Sequence, residues 1–143
     1  RLRVFLLPER GGVPVGLPWM QREKGLSRRM LRDASNNISD ADVIAFATPI
    51  YYYEMSGQMK TLLDRANALF ASDYAFRDIY LLTAAAEEDD QVPARAESGL
   101  TGWIDCFEKA RLAGTVFAGG VNGPGETVGH PALERARAMG RQV

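Results

Sequence analysis

The run Val43-Ile44-Ala45-Phe46-Ala47 constrains the fold more than any other stretch of the chain. It is apolar without alternation, whereas a strand with one wet face alternates apolar and polar residues. It therefore reads as a central strand of a parallel sheet, covered on both faces. The run stops at Thr48-Pro49, because proline has no N–H to give to a sheet ladder. A helical stripe follows at once: Met55, Met59, Leu62, Leu63, Ala66, Leu69 and Phe70. Ser56 suits its N-cap, and Lys60 with Asp64 makes an outward i,i+4 pair.

The same alternation extends along the chain. Leu2 to Leu7 is a short β-rich run ending at Pro8, and Pro8 to Gly25 carries loop chemistry in Gly11, Gly12, Pro14, Gly16 and Pro18. Leu26 to Ile38 has helical spacing, with Leu26, Met30, Leu31, Ala34 and Ile38 on one stripe. Asp78 to Ala84 reads as a second buried strand, followed by the acidic loop Glu87 to Asp90. A long helix is expected from about Ala94 to Leu112, with Leu100, Trp103, Ile104 and Phe107 inward and Gly114 breaking it. Thr115 to Ala118 is then a strand, and a glycine-rich loop runs to Gly129. The last helix opens with Pro131 in its first turn and ends at Gly140. Strands alternating with helices of this length make βαβ units, hence a parallel sheet with helices on both faces. One domain spanning residues 1–143 is expected.

Composition excludes several classes of function. Lys plus Arg is 17 and Asp plus Glu is 18, a net charge of -1 that offers no basic field to nucleic acid. The densest basic cluster, Arg28, Arg29 and Arg32 with Arg22 and Lys24, suits a solvated helix face. The single cysteine, Cys106, rules out an intramolecular disulfide and any cluster held by several cysteines of this segment. No apolar run approaches the ~20 residues that cross a bilayer, so a cytoplasmic protein is expected. The chain opens at Arg1 and enters Val4-Phe5-Leu6-Leu7 at once, which suggests that further residues precede it.

Chemistry concentrates where the first buried strand meets its helix. In open α/β sheets ligands sit beyond the carboxyl ends of the strands. The turn Pro49-Ile50-Tyr51-Tyr52-Tyr53 can offer backbone groups to a flat heterocycle and ring faces to pack on it. By composition alone, the three tyrosines would equally suit a strand exit packed on a helix or a neighbouring subunit. Gly119, Gly120, Gly123 and Gly125 follow a strand and precede a helix, but in the wrong order and place for a dinucleotide fingerprint, so a plain connecting loop is favoured. Glu87-Glu88-Asp89-Asp90 reads as a solvated loop rather than a cation site, His130 as a helix cap, and Cys106 as a small core residue. No metal ligand set and no Ser–His–Asp arrangement is found, and no catalytic acid or base is assigned.

The stretch Thr48-Pro49-Ile50-Tyr51-Tyr52-Tyr53-Glu54-Met55-Ser56-Gly57-Gln58-Met59-Lys60, ending in Leu63-Asp64-Arg65, resembles the signature of the flavodoxin-like NAD(P)H-dependent FMN reductases. That superfamily includes NAD(P)H:quinone oxidoreductases and iron–sulfur flavoproteins. The likeness covers the chain from about Asp42 to the end, through Thr83-Ala84-Ala85-Ala86, Gly102 to Phe107 and Gly119 to Leu133, with weaker support before Asp42. The resemblance implies a three-layer, doubly wound parallel sheet of order 2-1-3-4-5 and an FMN cofactor reduced by NAD(P)H. It implies cofactor contacts at Thr48, Pro49, Ile50, Tyr51, Tyr52, Tyr53 and Met55, with Thr83, Ala84 and Ala85 on the next loop. It also implies a small-molecule electron acceptor such as a quinone or flavin, and a homodimer or tetramer. A non-enzymatic electron carrier or flavin-binding module is the alternative.

Two departures stand out. The family opens with a strand and a Gly-Ser-Pro-Arg-like loop that holds the FMN phosphate at a helix N-terminus, and nothing here matches it. Leu2 to Leu7 would then be strand two, separated from Val43–Ala47 by the place of strand one. The cysteine-rich loop of the iron–sulfur branch would fall in Pro8 to Gly25, which holds no cysteine, so a cysteine-free branch is expected.

Overall fold

The computed structural model describes residues 38–143 in full and residues 2–6 by their backbone. The sequence-predicted loop at 8–25 and most of the helix at 26–38 lie outside the described residues; Ile38 and Ser39 are helical in backbone. The elements in chain order are β1 (Leu2–Leu6), β2 (Val43–Tyr51), β3 (Glu54–Met55), α1 (Gly57–Arg65), a 3₁₀ turn (Ala66–Ala71), β4 (Asp78–Ala84), α2 (Ala94–Ile104), β5 (Arg111–Ala118) and α3 (Pro131–Gly140).

β1, β2, β4 and β5 lie side by side in that order, all parallel, and β3 folds back as a short antiparallel arm on β2. The expected mixed pattern of parallel strands and covering helices is therefore present. One detail differs. Leu2–Leu6 pairs directly with β2, with Leu2 opposite Val43 and Leu6 opposite Ala47, and no strand's width separates them. Backbone N–H and C=O groups at a buried sheet edge demand partners, and direct pairing supplies them.

The apolar run of β2 behaves as its lack of alternation predicts. Ile44, Phe46 and Ile50 face one side with Ile79 and Leu81 of β4, in the larger core, while Ala45 and Tyr80 are also buried. α1 and α2 cover the larger core with Met59, Leu62, Leu63, Ala96, Leu100 and Ile104. Each of the Met, Leu and Ile side chains among them contributes on the order of 1.5–3 kcal/mol by leaving water. An aromatic cluster fills the end of this layer. Trp103 lies edge-on to Phe46 at 5.9 Å and 4.6 Å from Phe107, and Tyr74 stacks on Phe76 at 4.5 Å. On the opposite face Val116 and Ala118 of β5 pack under Ala132, Ala136 and Met139 of α3.

Three sequence-predicted features are corrected. The stripe from Met55 to Phe70 is not one helix: Met55 lies in β3, α1 stops at Arg65, and Ala66–Ala71 tightens into a 3₁₀ turn that leaves Phe70 63% exposed. The helix expected to reach Leu112 ends at Ile104. Gly114 lies inside β5, where the strand passes so close to α3 that an added Cβ would sit 3.0 Å from Met139 Sδ and 3.3 Å from the Tyr80 ring. The register slips beside it, between Ile79 and Tyr80, as a bulge. Cys106, expected in the core, is exposed; the helix has ended, and its thiol turns back to the Gly102 carbonyl at 3.5 Å.

Candidate cofactor-binding corner

β2 and β4 end side by side, with Thr48 opposite Thr83 and Pro49 opposite Ala84, and Ala84 in turn faces Ala118 of β5. All the sequence-predicted contact residues therefore lie at or next to the carboxyl edge of one parallel sheet. Their exposure divides them. Thr48, Ile50, Met55, Thr83 and Ala85 are buried, and Pro49 and Ala84 are half-buried. Tyr51, Tyr52 and Tyr53 are 45%, 97% and 48% exposed.

The corner after β2 is a hairpin. Tyr51 pairs with Glu54 and Ile50 with Met55, which leaves Tyr52-Tyr53 as a two-residue loop. Two-residue hairpins of type I′ need positive φ at both central positions and favour Asn-Gly. Tyr52 and Tyr53 take φ of 51° and 66°. For a bulky residue the left-handed region costs roughly 1–2 kcal/mol, so the turn carries strain that the surrounding contacts must hold. Strain of this kind gathers at ligand sites.

Those contacts are specific. Thr48 Oγ1 accepts from the Ser56 amide at 3.0 Å and donates to the Pro49 carbonyl at 2.9 Å, tying the end of β2 to the start of α1. Ser56 caps that helix, its hydroxyl accepting from Met59 N at 3.3 Å. The Met55 side chain runs inward; its Cε would meet an added Cβ on Gly99 of α2 at 3.2 Å. Across the edge, the Tyr53 hydroxyl donates to both Glu87 carboxylate oxygens at 3.2 and 3.3 Å.

The loops after β4 and β5 are stitched into one wall. Ala85 N donates to Ala118 O, Val121 N to Ala85 O and Gly120 N to Glu87 O, at 3.1, 2.8 and 3.2 Å. A Cβ on Gly119 would fall 2.8 Å from Glu88 Cα and 2.9 Å from Glu87 O, so only glycine fits there. His130 caps α3 as predicted. Its Nδ1 accepts from Ala132 N at 3.1 Å, which puts the ring proton on Nε2, 3.0 Å from the Gly119 carbonyl. Glu126 accepts from Asn122 N and Gly123 N at 2.6 and 3.1 Å. Among the described residues no group of three His, Cys, Asp or Glu side chains is placed to hold a metal ion. At the far, amino edge of the sheet, Arg111 donates to Asp78 at 2.6 Å, and this hydrogen bond raises its already high pKa.

Sequence reading alone did not bring Glu87, Gly119 and His130 to the corner. The paired glycines after an apolar strand were a usable signal for close backbone approach. Glu87 lies 34 residues from Tyr53, and no local pattern links them.

An open parallel α/β sheet with a strained aromatic corner at its carboxyl edge defines the class: a doubly wound α/β domain, a fold that binds its ligands at that edge. The particular family follows from comparison, for the family model described as NADPH-dependent FMN reductase matches residues 13–140, and the chain belongs to that family. Solved structures of similar fold include the Trp repressor binding protein from Bacillus subtilis, with a TM-score of 0.63 at 21% identity, over 74% of this chain and 72% of that one. The NAD(P)H:quinone oxidoreductase from Methanothermobacter marburgensis superposes with a TM-score of 0.61 at 17% identity, over 86% and 74% of the two chains. The azoreductase from Bacillus anthracis str. Sterne gives 0.59 at 18% identity, over 80% of this chain and 63% of that one. No curated protein matches the chain significantly. The protein is thus an FMN-dependent oxidoreductase of the NAD(P)H-linked type.

Proposed function

We propose that the protein passes electrons from a nicotinamide, through FMN seated on the Tyr51–Tyr53 corner, to a quinone, a flavin or another small acceptor. The observation that carries this reading is the hairpin itself: two tyrosines held at positive φ with their rings toward solvent, at the carboxyl edge of the sheet. Such an arrangement costs stability, and a planar ligand lying against the rings and the nearby backbone gives it a use.

The residues fit the ring portion of FMN. The tyrosine faces offer packing surface, the corner offers backbone groups, and Gly119 lets the wall behind approach closely. Thr48, Ile50, Met55, Thr83 and Ala85 are buried and serve through shape, while Pro49 and Ala84 line the edge between them. The phosphate anchor is assigned to no described residue. When bound, FMN supplies the hydride and electron chemistry; the chain supplies binding, orientation and local electrostatics. That division accounts for a site built of shape-giving residues.

We further place the protein in the cytoplasm, as a homodimer or tetramer. None of the described helices is long and apolar enough to cross a membrane, and exposed tyrosines suit a subunit contact.

The test begins with FMN added to the purified protein and followed by quenching of flavin fluorescence. NADH and NADPH are then added without oxygen, and a quinone last. Bleaching by a nicotinamide and recovery with the quinone is the expected result. A yellow protein bleached by dithionite but by neither nicotinamide would be an electron carrier instead, and absence of FMN binding would overturn the reading.

A further inference from the structure

We propose that Glu87 is a positioning residue for the cofactor corner, acting through Tyr53. The inference deepens the reading above and rests on it for the identity of the ligand.

Three observations support the assignment. Tyr53 occupies a left-handed backbone conformation that its side chain disfavours, so something outside the turn must hold it. Its hydroxyl proton is shared between the two Glu87 oxygens, at 3.2 and 3.3 Å, so the ring is tied to the loop after β4 across 34 residues of chain. Glu87 is itself anchored through its backbone. Its carbonyl accepts from Gly120 N at 3.2 Å, and Gly119 presses so close that a Cβ would lie 2.9 Å from that carbonyl and 2.8 Å from Glu88 Cα. The exit loops of β4 and β5 thus hold the Glu87 backbone in place, and its side chain reaches from there to the exit of β2. The hairpin is tethered at its base by Thr48 and Ser56 and by the pairing of Tyr51 with Glu54, and the bond to Glu87 adds a tether at its tip.

Tyr53 is 48% exposed, which leaves its ring accessible while its hydroxyl is engaged. The bond sets the orientation of that ring without hiding it. Glu87 makes this contact as a hydrogen-bond acceptor, so an uncharged acceptor of the same shape preserves the function. Glu87→Gln is that variant, whereas Glu87→Ala and Tyr53→Phe each remove one partner.

Two measurements on the whole protein separate this proposal from its parent. In the apoprotein, hydrogen exchange at the Glu54 and Met55 amides is expected to quicken roughly two- to tenfold in Glu87→Ala and in Tyr53→Phe, the range of one net hydrogen bond. The Glu87→Ala/Tyr53→Phe double variant should be no faster than either single one, and Glu87→Gln should exchange like the parent. In the second measurement, FMN affinity read by flavin fluorescence should weaken by a similar factor in both single variants and recover in Glu87→Gln. Unchanged exchange in folded Glu87→Ala, additive effects in the double variant, or Glu87→Gln behaving as Glu87→Ala would each overturn the positioning role. A parent protein that fails to bind FMN while showing the exchange pattern would overturn the function and leave the tether standing. Exchange changes without any change in FMN affinity would sink the link between the tether and the cofactor.

Discussion

At Tyr52 the backbone works against its own side chain. The residue is 97% exposed, so burial does not offset the cost of φ at 51°. Tyr52→Asn keeps a residue that tolerates the left-handed region and is expected to stabilise the apoprotein by about 0.5–1 kcal/mol, measured by urea unfolding. The same substitution removes a ring face and should weaken FMN. An apoprotein that loses stability would show that the tyrosine ring, and not the backbone, governs the turn. Gly119 is the opposite case. The clash of an added Cβ is with backbone, which cannot swing aside. Gly119→Ala should cost roughly 1–3 kcal/mol, seen as a lowered urea midpoint with an unchanged slope.

Among the elements, α3 depends on a residue outside itself. His130 is the acceptor at its N-terminus and also reaches the Gly119 carbonyl, so one imidazole joins the helix start to the β5 exit. His130→Ala should destabilise by about 1 kcal/mol, and Asn at the same position should recover much of it; thermal melts of the two variants decide this. The elements also show where local pattern stops being informative. β2 and β4 were legible because a doubly covered strand leaves an unbroken apolar run. The end of α2 was not, since Phe107 is buried like Leu100 and Ile104 and continues the apolar signal past the last helical residue. Phe70 misled in the same way: it suits the α1 stripe by type, yet the 3₁₀ tightening rotates it outward.

On the scale of the whole molecule, the corner exists because three strand exits converge on one edge. Ligand binding to such an edge should stabilise the whole fold by mass action. FMN at a hundred times its dissociation constant is expected to add about 2.7 kcal/mol, measured as a rise in thermal midpoint that follows the FMN concentration. A midpoint indifferent to FMN would mean that the folded state does not bind it.

The covered strand Val43–Ala47, its stop at Pro49, the Ser56 and His130 caps and the last helix were settled by the chain's own local chemistry. Periodicity, propensity and capping act between near neighbours and can be read from them. The direct pairing of β1 with β2, the positive φ of two adjacent tyrosines, the passage of Gly114 against Met139 and the meeting of Tyr53 with Glu87 were decided only by packing. Each joins segments far apart in the chain, or sets a local preference against the demand that buried backbone be paired and close approaches be free of collision, and the tertiary demand prevails.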